Sequence, residues 1–296
     1  MLPISRVCRP FAVKLVSSAC APPIRISQRS ISYRRAMMCS PDHFAVGDLI
    51  NPWMGGVVDK DTAFAQWNIL RAALEKAGVE VMVMPQAELL PDMVFACNSG
   101  IAKGNKVYLS HFRHESRQPE REEFQQWFAQ NGFEIHGADR FDFFEGGGDA
   151  FFMNDELLCA GYGFRTDKQV YNEIAKIGDF KTVLCELIDP KFYHLDTCLF
   201  PLNDTEAVYY PDAFGAETRE ELHKHLKLIP VSKEEAMKFA CNALPVPQSK
   251  TVLCPSGCPQ LEKTLTDAGY NFVSIDMSEF MKSGGACQCL VLKLPD

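Results

Sequence analysis

Residues 149-DAFFMNDELLCAGYGFRTDKQVYNEIAKIGDFKTVLC-185 read as one complete structural unit. A first strand opens beside Asp149, Asn154-Asp155 marks a tight hairpin turn, and Leu157–Gly161 forms the partner strand. Asp167 to Ile177 then carries apolar residues at helical spacing, Gly178 follows as a helix terminator, and a third strand starts near Thr182. The same order recurs along the chain. Partner strands read Ala36–Ser40, Val107–Ser110, Leu157–Gly161, Ala207–Tyr210 and Thr251–Cys254, and third strands begin near Val79, Phe133, Thr182, Leu226 and Asn271. First strands open beside Val94, Asp149, Thr197, Phe239 and Cys289. Helices are expected over Asp61–Ala77, with Asp61 as N-cap, and over Glu120–Gln130, Asp167–Ile177, Glu217–Leu226 and Pro259–Ala268.

Steps of roughly 40–60 residues fall in the range of internal repeats that build propellers or arrays. The fifth unit has its first strand at the far end of the sequence, whereas the first unit begins with its partner strand. Pairing the two would close a ring and cover both edges. An ordinary open α/β sheet has the same alternation of strands and helices.

The recurrence runs from residue 36 to residue 296 without a linker, so these residues are expected to form a single domain. Residues 1–35 differ. They hold seven Lys or Arg, six serines and no acid, the composition of a transit peptide, most often mitochondrial. A mitochondrial matrix location follows as the expectation, with plastid or cytoplasm as alternatives. Without that leader 23 cations face 38 acids, which argues against nucleic acid as a partner and suits a cationic small molecule. No apolar run approaches the ~18–20 residues that span a bilayer, so no membrane partner is expected. Twelve scattered cysteines suggest a reducing compartment, and the absence of a CxxC pair gives no zinc signal. Oligomeric state, a homo-oligomer included, is left open.

Polar residues of unusual type keep falling at or beside a first strand: Asn98, Glu145 with Asp149, His194 with Asp196, and Cys289. On a strand, His194 and Asp196 would share a face, a proton carrier next to a carboxylate that holds cations. Taken alone, a histidine is more often a satisfied structural residue. Cys289 follows Gly284-Gly285 and could attack an electrophilic carbon, with Cys287 as rival and buried packing as the plain alternative. Glu145-Gly146-Gly147-Gly148-Asp149 lacks the Lys-Ser/Thr ending of a phosphate loop, and a glutamate there could orient His194. Arg165 has the planar fork that suits a carboxylate, and Arg113 and Arg117 are weaker versions of the same idea.

Together these residues resemble the guanidine-modifying superfamily of amidinotransferases, arginine deiminases and dimethylarginine dimethylaminohydrolases. Its fold is an α/β five-bladed ββαβ propeller with pseudo-fivefold symmetry, the pentein fold. The resemblance runs from about Cys39 to Leu294. Residues 41–44, 50–54, 91–95, 160–167, 192–197 and 239–242 look closest to the arginine dihydrolases, which convert arginine to ornithine, CO2 and two ammonia molecules. It implies Cys289 as nucleophile, His194 as general acid/base and Glu145, or Asp149, as the carboxylate partner of that histidine. It further implies Asp196 and Asn98 around the guanidinium, Arg165 on the substrate carboxylate and no cofactor or metal. Asp149 is the expected holder of the α-amino group. Deiminases carry an aspartate where this chain has Asn98, while dihydrolases carry asparagine there and an asparagine like Asn51. The chain departs from the dihydrolase pattern at Cys97, Ser99, His111, Cys287 and Gln288. The resemblance therefore leaves deiminase, dimethylargininase and amidinotransferase activities as alternatives, and ribosome anti-association penteins as the non-enzyme one.

Overall fold

A computed structural model describes residues 32–295, so the expected leader lies outside the described residues save its last four. Alternating apolar positions build five three-stranded sheets, all with the same internal order. In the first, β1 (Arg35–Cys39) pairs parallel with β2 (Glu80–Met84) and antiparallel with β15 (Leu292–Leu294). The second joins β3 (Gly100–Lys103), β4 (Lys106–Leu109) and β5 (Glu134–His136), and the third β6 (Ala150–Asn154), β7 (Leu157–Tyr162) and β8 (Lys181–Glu186). The fourth has β9 (Leu199–Pro201), β10 (Glu206–Tyr209) and β11 (Lys227–Pro230), and the fifth β12 (Leu244–Val246), β13 (Thr251–Pro255) and β14 (Asn271–Ile275). In every sheet the middle strand is antiparallel to the first and parallel to the third. A parallel pair needs a crossover of about a dozen residues or more, and helical segments supply it.

Burial grades across each sheet. Strands β9 and β12 are buried at every position, whereas β2 and β14 bury only their last residue and β11 buries none. The first strands therefore lie inside and the third strands outside. Helix Lys60–Lys76 shows why the helices stay put: Trp67, Leu70 and Leu74 recur along one face and pack with Met38, Phe95 and Phe280. Each such leucine, fully buried, is worth about 1.5–3 kcal/mol.

Several boundaries differ from expectation. The first strands begin at Gly100, Ala150, Leu199, Leu244 and Leu292, one to six residues late, because a tight turn precedes each. Four of these turns are 3-10: Ala96–Ser99, Gly146–Gly148, Leu195–Thr197 and Ala240–Asn242. The fifth spans residues 287–290. His194 and Asp196 therefore flank and occupy a turn, not a strand. The first helix is capped by Asp59, which accepts from the Thr62 N–H at 2.8 Å, and not by Asp61. Asp167–Ile177 is a short helix, Tyr171–Ile174, between two 3-10 turns, and Gly178 behind it is extended rather than left-handed.

Candidate active site

The five turns are tied into a closed circuit of hydrogen bonds. Asn98 Nδ2 of the first donates to Glu145 O at the second, 3.2 Å away. Asp149 Oδ1, closing the second, accepts from Leu195 N of the third at 3.1 Å. Asn242 Nδ2 of the fourth donates to Asp196 O of the third at 3.0 Å. The fifth then joins both neighbours, Gln288 N to Asn242 O at 3.0 Å and Cys97 N to Cys289 O at 3.1 Å. This circuit brings residues from five distant segments together. The three glycines at 146–148 permit it: a Cβ on Gly146, at φ +54°, would sit 2.6 Å from Asn98 O, and one on Gly148 would sit 2.4 Å from Asn98 Nδ2.

Cys289 is the centre. Its Sγ lies 3.1 Å from Asp196 Oδ2 and 3.1 Å from Asn242 Nδ2, and Asn242 Oδ1 accepts from the backbone N–H of Ala286 and Cys289. Burial alone would raise the thiol, but hydrogen bonds with Cys97 and Asp196 and the charge of His194 bring it down to about 6. Burial pushes the Asp196 carboxyl the other way, upward, and the adjacent Cys289 sulfur adds to the rise. Cys287, the rival, is fully buried and raised by that burial, so it is a poor nucleophile.

His194 donates from Nε2 to Glu145 Oε2 at 2.7 Å, with the tautomer assigned from that contact. The same oxygen receives Arg165 Nη1 at 2.9 Å, and Oε1 receives Arg113 N at 3.2 Å. Burial would raise this carboxyl, yet Arg165 and His194 hold it well below the usual range. Glu145 is therefore an anion that orients His194.

A narrow cavity opens beside Cys289, lined by Asn51, Asp92, Phe95, Asn98, Arg117, Arg165, Tyr193 and others. Arg165 stacks its guanidinium over Tyr193 and spends Nη2 on Ile50 O. Arg117 is clamped bidentately by Glu120 at 2.8 Å and donates to Asn98 Oδ1 at 3.1 Å. Asn51 is fixed by Ser283 O and Trp53 N. Several buried oxygens lack a partner among the described residues, including Asp92 Oδ1 and Ser283 Oγ in the lining and Asp196 Oδ1 behind Cys289. Unpaired buried oxygens are costly, so each is a place for a donor that arrives from outside, such as the N–H of a cation.

Of the residues expected from sequence, Cys289, Asn98, Asn51 and Arg165 line the cavity; Asp196, His194 and Glu145 stand behind it. Asp149 does not line it. Its carboxyl is raised by burial and serves the Leu195 N–H. Asn242 and Asp92 belong to the site although the sequence reading gave them no role in it, and Arg117, read there as a weaker carboxylate binder than Arg165, lines the cavity. Asn242 had a signal, since Phe-Ala-Cys-Asn occurs twice, at 95–98 and 239–242. Cys97, Asp196 and Cys289 place a sulfur, an oxygen and a sulfur within 4.8 Å of one another, one donor short of a tetrahedral zinc set.

The chain is similar to known proteins over most of its length. Residues 56–295 match the family model of N,N dimethylarginine dimethylhydrolase, eukaryotic. The uncharacterized protein ZK1307.1 of Caenorhabditis elegans is 50% identical over 88% of this chain and 94% of its own length. The bifunctional arginine dihydrolase/ornithine cyclodeaminase ArgZ of Synechocystis is 38% identical over 88% of this chain, which spans only 38% of that enzyme. The dimethylarginine dimethylaminohydrolase of Mycobacterium tuberculosis is 34% identical over 90% and 88% of the two chains. A crystal structure of the N-terminal domain of an ArgZ variant, covalently bound to a reaction intermediate, superposes with a TM-score of 0.84 at 37% identity, covering 88% of this chain and 97% of that one.

Proposed function

The chain belongs to the eukaryotic N,N-dimethylarginine dimethylhydrolase family and is a guanidine-modifying hydrolase of C–N bonds in linear amidines; from that premise we propose that it is an arginine dihydrolase, giving ornithine, CO2 and two ammonia molecules. The observation that carries the choice is Asn98, a neutral amide beside the cavity whose Oδ1 is already held by Arg117. A second carboxylate there would grip a guanidinium more strongly than a neutral ureido group. An amide treats the two more evenly and lets the first product stay for a second hydrolysis.

The guanidinium donates to Asp196 Oδ1, and its charge favours the ionised carboxylate and the Cys289 thiolate together. Asp92 with its free oxygen suits the α-ammonium, and Arg117 and Arg165 suit the α-carboxylate. Cys289 attacks the guanidinium carbon. His194 protonates the departing ammonia, leaving a thiouronium on sulfur. The same imidazole then takes a proton from water, which adds to that carbon and displaces the thiolate to give citrulline. In the second round thiolate attack expels another ammonia, and water releases a carbamic acid that falls apart to ornithine and CO2. The family match favours a second reading, removal of dimethylamine from dimethylarginine. The five sheets and the β1–β15 pair support a closed five-bladed propeller with pseudo-fivefold symmetry. The acid-free leader supports a mitochondrial location.

A product assay tests the choice. Incubation with arginine should give ornithine and two ammonia per turnover, and Cys289→Ser should give none. Citrulline with one ammonia, or turnover of dimethylarginine alone, would remove the dihydrolase reading.

A further inference from the structure

We propose that Cys97 is a resolving thiol for Cys289, so that a peroxide converts the pair into a reversible disulfide instead of destroying the nucleophile. The inference rests on the reading of Cys289 as a reactive thiol and goes beyond it. A backbone hydrogen bond, Cys97 N to Cys289 O at 3.1 Å, joins the two residues directly. It keeps their Cα atoms in the short range that a disulfide spans, about 4.4–6.8 Å. Their sulfurs lie within 4.8 Å of each other, and both reach one Asp196 oxygen, 3.1 Å from Cys289 Sγ and 3.7 Å from Cys97 Sγ. Side-chain rotation, not backbone movement, closes the remaining gap.

The two thiols differ in setting. Cys289 borders the narrow cavity beside Asn98 and Arg165, whereas Cys97 borders a separate cavity beside Gly147 and Gln288. Burial holds Cys97 protonated. The steps follow from that asymmetry. The Cys289 thiolate attacks one peroxide oxygen, the O–O bond breaks, hydroxide leaves, and Cys289 becomes a sulfenic acid. Cys97 sulfur attacks the oxidised sulfur, the S–O bond breaks, and the departing hydroxide takes the Cys97 proton to leave as water. Each sulfur has lost one electron and the peroxide has gained two. A dithiol reductant returns both thiols and becomes a disulfide itself. Other close pairs, Cys159 with Cys185 and Cys254 with Cys258, border neither cavity, so they serve as internal controls.

The test is mass mapping of the full chain after stoichiometric hydrogen peroxide, without reductant. A cross-linked peptide pair containing Cys97 and Cys289, two hydrogens lighter than the free peptides and restored by dithiothreitol, is the expected result. In Cys97→Ser, and in Cys97→Ala as a second fold-preserving variant, Cys289 should instead gain two oxygens as a sulfinic acid that dithiothreitol does not reverse; Cys287→Ser should keep the cross-link. Sulfinic acid at Cys289 in the wild-type chain, or a cross-link to any other cysteine, overturns the proposal. Neither readout needs substrate turnover, so the outcome is independent of which guanidino compound is hydrolysed.

Discussion

Removing the Asn242 amide should both loosen the fold and dull the nucleophile, by amounts the geometry sets. Asn242 is fully buried and makes four side-chain hydrogen bonds, donating to Asp196 O and Cys289 Sγ and accepting from Ala286 N and Cys289 N. In Asn242→Ala three backbone groups lose their partner where little water can replace it. At about 1 kcal/mol each, the low end for an unsatisfied buried group, the loss is about 3 kcal/mol. For a domain of this size that is about 6–12 °C in Tm. The sulfur loses a donor as well. A hydrogen bond to a charged group is worth about 1.5–3 kcal/mol, and at about 1.4 kcal/mol per unit the thiol rises by about one to two units. With the wild-type thiol brought down to about 6, the variant's labelling midpoint should fall at about pH 7–8. Iodoacetamide labelling of the Cys289 peptide, followed by mass spectrometry from pH 5 to 9, reads this directly. A variant whose labelling midpoint stays put and whose Tm falls by less than a degree would refute the account of Asn242 as the support of the sulfur.

Three further outcomes follow from the same contacts. Glu145 is an anion whose folded-state pKa lies well below 4.5, so its contribution to stability is whole above about pH 4.5 and fades as pH falls through the folded value. Glu145→Gln should lack that acid limb in a Tm-versus-pH series and cost about 3–5 kcal/mol at neutral pH, because Arg165 is left buried and unpaired. Asp149→Asn keeps an acceptor for Leu195 N and removes a buried charge, so chemical denaturation should find it within about 1 kcal/mol of wild type, while Asp149→Ala loses about 1–3 kcal/mol. Gly148→Ala would press a methyl against Asn98 Nδ2 and His194 Nδ1, and steady-state kinetics should show kcat/KM down by more than tenfold.

The strand and helix framework was legible because periods of 2 and 3.6 survive in sequence. Helix Glu120–Gln130 matches its expected bounds, and all five middle strands fall within a residue of theirs. The turns were not legible. A 3-10 turn of three or four residues has no period to read, and so Val94 and Phe239 were taken for strand starts. Chemistry survived that error because Asn98, Asp196 and Cys289 are marked by residue type rather than by conformation. Asn242 was missed although its tetrapeptide repeats that of Asn98. Arg117 reads only as a weaker carboxylate binder, because nothing in the sequence shows that the tertiary structure buries it together with Glu120.

The clasp between β1 and β15 imposes an order in time. A ribosome delivers Arg35 long before Leu294, yet the two sit opposite each other in one ladder. Until β15 emerges, β1 presents an open edge and the segment that carries Cys289 is not anchored. A chain clipped between Cys289 and Leu292 would keep the sulfur but lose the ladder that anchors it.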